Sequence, residues 1–110
     1  MKLSPFSITQ EMLKAAEKGN LGGLGMFLQC PGVDINHSDD QGRTALYLAS
    51  GNGHTSVVQT LLGFKQIDVN RARTDYGATA LFAASQYGYE DIVKLLLNHP
   101  KIQVNKGLIR

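Results

Sequence analysis

The chain has 110 residues, 43% of them hydrophobic and 18% charged, which suits a buried core and excludes a disordered chain. That length holds one small domain and leaves no room for a doubly wound enzyme or an eight-stranded α/β barrel. A formal charge of +2 falls short of the basic field of a dedicated nucleic-acid binder, and the single cysteine, Cys30, excludes an internal disulfide framework.

From Met1 to Leu13 there is no continuous apolar stretch and no small-residue cleavage motif, so no signal peptide is expected. Nowhere does an apolar run approach the roughly 18 residues that span a bilayer. A cytoplasmic location, with the nucleus as an alternative, is the expectation. The chain divides into units at about 7–37, 38–72 and 73–106, with 107–110 as a tail or the start of a further unit. In the first unit Gly22, Gly23 and Gly25 fall inside the second helix. Each interior glycine costs about 1 kcal/mol against alanine, so this helix is expected to be short or frayed, with Leu21, Leu24, Phe27 and Leu28 packed inward. Val33-Asp34-Ile35-Asn36 alternates apolar and polar residues and reads as an extended piece before a hairpin-like turn.

The second unit carries Thr44 before an apolar stretch, the position of a helix N-cap whose hydroxyl accepts an orphan backbone N–H. A helix is predicted over 45–51, ending in glycine that permits a left-handed cap. A second helix follows over 54–63, with an apolar stripe at positions 57, 58, 61 and 62. In the third unit Thr79 caps a helix over 80–87, and a second helix spans 89–98, with Glu90 and Asp91 in its first turn where the helix dipole favours negative charge. Ile67-Asp68-Val69-Asn70 and Ile102-Gln103-Val104-Asn105 repeat the alternating finger.

These units are copies. Gly42-Arg43-Thr44-Ala45-Leu46 recurs as Gly77-Ala78-Thr79-Ala80-Leu81, 35 residues on, and the register holds through Val57-Val58 to Ile92-Val93, Leu61-Leu62 to Leu96-Leu97 and Val69-Asn70 to Val104-Asn105. A degenerate copy lies 34 residues upstream, with Ala15 and Gly19 matching Ala49 and Gly53. Helix, turn, helix and finger at this period resemble the ankyrin repeat. The resemblance implies an all-α solenoid of stacked helix-turn-helix units with short hairpin-like fingers. Ala45 and Ala80 replace the family's proline, and Tyr47 and Phe82 replace its histidine. The inter-helix histidine survives as His54 and becomes Tyr89 in the last copy.

No catalytic constellation is legible. Cys30 with His37, His54 or His99 supplies neither a nucleophile–base arrangement nor the three or four convergent ligands of a zinc site. The Gly-rich run at 22–25 has no preceding strand and no lysine, unlike a phosphate-binding loop. No cofactor, metal or small-molecule substrate is expected. Asp39, Asp40, Asp68 and Asp75 interrupt any basic face around Arg71 and Arg73, which argues against nucleic acid. What the resemblance implies is a concave partner-binding face on the finger tips and first helices. Carried over by alignment, it comprises Ser38, Asp40, Gln41 and Arg43 in the middle unit and Arg73, Asp75, Tyr76, Ala78, Gln86 and Tyr87 in the last. Tyrosine and arginine are favoured there as binding anchors, whereas Tyr47, Phe82 and the Leu/Val pairs are assigned to packing. The leading expectation is a non-catalytic adaptor, scaffold or inhibitor that binds a partner protein. The alternative is a structural segment of a longer array, or self-association through an uncapped C-terminal unit.

Overall fold

The computed structural model describes residues 5–75 and 77–104. They form six helices in three antiparallel pairs: α1 (Pro5–Lys18) with α2 (Leu21–Leu28), α3 (Ala45–Gly51) with α4 (Thr55–Leu62), and α5 (Ala80–Gln86) with α6 (Glu90–Leu97). The first helices α1, α3 and α5 stack in one row and the second helices α2, α4 and α6 in another. The stack measures 46 × 26 × 23 Å.

Local sequence sets the helix ends. Thr44 Oγ1 accepts from Tyr47 N at 3.1 Å and Thr79 Oγ1 from Phe82 N at 3.3 Å, so the threonine caps form where the pattern places them. α4 and α6 each start one residue later and stop one earlier than predicted, with His54 and Tyr89 as N-caps that make no side-chain cap bond. Between the helices of each pair the chain reverses through Gly19, Gly53 and Gly88, with φ of 74, 78 and 75°, a region in which a Cβ is strained.

Two expectations are corrected. α2 is neither short nor frayed: its eight residues match α4 and α6. None of its three glycines has a positive φ, the Asn20 side chain caps Gly23 N at 3.0 Å, and Leu24 anchors the helix by complete burial. Phe27 and Leu28 pack against the core, but Leu21 in the first turn is exposed. The finger pieces 33–36 and 67–70 are not extended throughout, since 35–36 and 69–70 are turns. Their ends are tight turns in which Asp34 and Asp68 carboxylates accept from Asn36 N at 2.9 Å and Asn70 N at 3.0 Å, a local bond that draws aspartate into turns. In the hairpin that follows the first finger, Ser38 and Thr44 form an antiparallel bridge.

One core runs through the stack. Ala15, Ala49 and Ala84 occupy the crowded inner positions of the first helices, while Leu24, Val58, Leu61 and Leu96 come from the second helices. The asparagine that closes each finger ties unit to unit. Asn36 Nδ2 donates to the Gln66 carbonyl at 2.7 Å and its Oδ1 accepts from Asp68 N at 2.8 Å. Asn70 repeats this with the Lys101 carbonyl and Gln103 N, both at 2.8 Å. The equivalent Asn105, and residues 107–110, lie outside the described residues.

Candidate protein-binding groove

A groove follows the side of the stack where first helices meet finger turns. At the N-terminal end it encloses about 430 Å³ between Gln10 and Leu13 of α1 and the finger residues His37, Ser38, Asp39, Asp40, Gln41 and Arg43. It continues past Lys14, Glu17 and Leu48. Its far part, about 440 Å³, lies among Glu17, Arg43, Tyr47, Gly51, Asn52, Arg73, Ala83, Tyr87 and Tyr89. Small residues explain the depression: Gly51 and Ala83 occupy successive first helices, with an ideal Gly51 Cβ 3.6 Å from Ala83 Cβ, so no bulky side chain fills the space between the tyrosines.

Two arginine–aspartate pairs brace the finger wall. Asp39 Oδ1 accepts from Gln41 N at 3.0 Å and Arg43 N at 2.9 Å, and its Oδ2 accepts from Arg43 Nε at 2.8 Å. Burial pushes the Asp39 carboxyl up, but the Arg43 amide, then the Arg43 guanidinium and the Gln41 amide, outweigh it and hold the pKa below the usual carboxylate range. One unit on, Arg73 Nε donates to Asp75 Oδ1 at 2.9 Å, and Nη2 donates to Asp75 Oδ2. Its Nη1 donates to the Tyr47 hydroxyl at 3.3 Å, and its guanidinium lies 5.6 Å from the Tyr47 ring centroid. Asp75 first and Tyr47 second raise the pKa of Arg73. Tyr87, 63% exposed, closes the C-terminal wall with its ring 6.4 Å from that of Tyr89.

The sequence-derived residues separate on this surface. Ser38, Asp40, Gln41, Arg43, Arg73 and Tyr87 line the groove, and Asp75 braces Arg73. Gln86 is exposed on α5 without lining it. Ala78 is corrected: it is buried and offers no side-chain surface to a partner. Tyr76 lies outside the described residues. Arg73 offers less than its type suggests, since its side chain is 14% exposed. The Arg71–Arg73 stretch makes no basic patch, because Arg71 Nε lies 3.3 Å from Asp68 Oδ2. Phe82, assigned to packing, is partly exposed.

Tyr47, Asn52, Leu48 and Glu17 were missed. A signal was available: the 35-residue offset that places Gln86 and Tyr87 on the face also places Gly51 and Asn52 there, and 34 residues earlier Glu17 matches Gly51. No spacing shows that Tyr47 stacks under an arginine from the next finger. Among the described residues no three His, Cys, Asp or Glu side chains are grouped to hold a metal ion, and Cys30 Sγ contacts the Met26 carbonyl at 3.6 Å.

A family model of ankyrin repeats, three copies, matches residues 12–107. The chain belongs to the ankyrin-repeat family. Curated relatives include cortactin-binding protein 2 of Dasypus novemcinctus, 50% identical over 56 residues, which is 50% of this chain and 3% of that protein. The Echinops telfairi protein of the same name is 51% identical over 49 residues, 44% of this chain and 3% of its own length. That of Rhinolophus ferrumequinum is 46% identical over 56 residues. The chain thus spans about 3% of the length of these relatives. Within the ankyrin-repeat fold the groove is the face formed by equivalent positions of three successive units, Lys14, Leu48 and Ala83 being one such row. No helix among the described residues is long and apolar enough to cross a membrane.

Proposed function

We propose that the chain is a non-catalytic interaction module that holds a partner protein in this groove. The observation that carries the reading is the groove itself: it crosses all three units and is walled by side chains braced before any partner arrives, Arg43 on Asp39 and Arg73 on Asp75 and Tyr47. Braced side chains lose little rotamer freedom on association, so contact area converts to affinity more fully. Tyr87 supplies an exposed, rigid aromatic anchor at one wall. The reading carries with it a cytoplasmic or nuclear location and a role as adaptor, scaffold or inhibitor.

The test compares capture of partners from a lysate by the native chain, by Tyr87→Ala and by Gln59→Ala, which lies on the exposed face of a second helix. Loss of a captured protein with Tyr87→Ala and retention with Gln59→Ala supports the groove; the reverse pattern moves the site to the helical back. Cortactin, which the relatives' name gives as a partner of those proteins, is the first defined ligand to titrate.

A further inference from the structure

Every cation on the groove wall is already matched by a carboxylate. Arg43 pairs with Asp39 at 2.8 Å, Arg73 pairs with Asp75, and Lys14 Nζ lies 3.4 Å from Glu11 Oε1. Two groove carboxylates have no such match. Asp40 lines the N-terminal end, and Glu17 lines the connecting stretch and the far part. Both residues are exposed, and neither forms an ion pair among the described residues. With its ion pairs closed, the groove keeps the negative charges of Asp40 and Glu17, although the chain as a whole carries +2. The same wall also shows how it holds a guanidinium. Arg73 places its own 5.6 Å from the Tyr47 ring centroid and donates Nη1 to the Tyr47 hydroxyl at 3.3 Å; a cation in that position is drawn to the ring quadrupole. Tyr47 is thus taken. Tyr87, in the same part of the groove as Glu17, is 63% exposed, and among the described residues no cation stands over its ring.

We propose that the groove takes a basic segment of its partner, with an arginine seated on the Tyr87 ring and paired with Glu17, and a second basic side chain meeting Asp40. The proposal rests on the groove reading above and adds the chemistry of the partner. Arginine suits the far part better than lysine, because its planar guanidinium stacks on a ring while keeping N–H donors for a carboxylate. The net charge of the chain points to an acidic partner; the groove reverses that choice. Exposed charges more than about 10 Å away are largely screened at ordinary salt, so the charges at the contact select the partner.

The probe is a blocked peptide of Gly-Ser-Arg repeats, titrated into the full chain and followed by backbone amide shifts. Its counterparts carry citrulline, the neutral isostere of arginine, or glutamate at each arginine position. The arginine peptide is expected to shift the amides of Glu17, Asp40 and Tyr87, and both counterparts to bind about fivefold more weakly or worse. Glu17→Gln is expected to weaken the arginine peptide about threefold. Tyr87→Leu, which keeps apolar area but removes the ring face, is expected to do the same, by about threefold. Asp91→Asn, at an exposed acid of α6 that does not line the groove, is expected to change nothing. The proposal is overturned if the arginine peptide shifts no groove amide, or if the citrulline or glutamate peptide binds there as tightly. It is equally overturned if Glu17→Gln leaves the affinity unchanged or Asp91→Asn lowers it as much. In each of these outcomes, loss of lysate capture with Tyr87→Ala still supports the groove as the binding face, so the two readings fail separately.

Discussion

Asn36 and Asn70 each contribute one side-chain donor and one acceptor to the backbone of the next unit. Removing the amide leaves a carbonyl and an N–H of the neighbouring finger without these partners, a loss on the order of 1–3 kcal/mol. Asn70→Ala is expected to lower the urea midpoint at unchanged slope; an unaltered midpoint would show that water replaces both bonds without cost. Asp39 makes a pH-dependent contribution. Its folded pKa is lowered, so its stabilisation is present above the ordinary carboxylate range and is lost as pH falls through the lower folded value. Asp39→Asn should therefore be less stable than the native chain near neutrality, with the difference shrinking in acid. A difference that stays constant down the acid limb would sink the assignment. That Arg43 would supply Asp39 with both its amide and its guanidinium was not legible, because that depends on the hairpin bringing the chain back.

Among the elements, α2 is the instructive one. Three glycines in eight residues argue against a helix on propensity alone, yet burial of Leu24 and the Asn20 cap hold it. Propensity is a weak prior that packing overrides. The glycines still differ in what they cost. A Cβ on Gly25 meets nothing within 4 Å and one on Gly22 comes only within 3.9 Å of Asn20 Oδ1, whereas on Gly23 it would lie 2.6 Å from Asn20 Nδ2. Gly22→Ala with Gly25→Ala is expected to raise the unfolding free energy by about 1 kcal/mol per site, read as a higher urea midpoint. Gly23→Ala should gain nothing, because it displaces the cap. Equal gains at all three sites, measured by urea titration, would show that the cap contributes little.

At the scale of the whole molecule, stacking the three units creates the groove. The groove is lined by side chains that the repeat leaves free to vary, and its partner is tested through Tyr87. The 34- and 35-residue offsets fixed the row of first helices, the row of second helices and the left-handed glycines between them, because each unit's caps and apolar stripe are local patterns. Those same offsets could locate the groove only by analogy, and they placed Ala78 on it wrongly. Whether a side chain of the next unit covers a residue, as Arg73 covers Tyr47, is a property of the stacked backbones. The sequence by itself thus determined that these helices form, pair and repeat. Only the tertiary structure decided which side chains meet across a joint and which line the groove, since those depend on distances between segments some thirty residues apart.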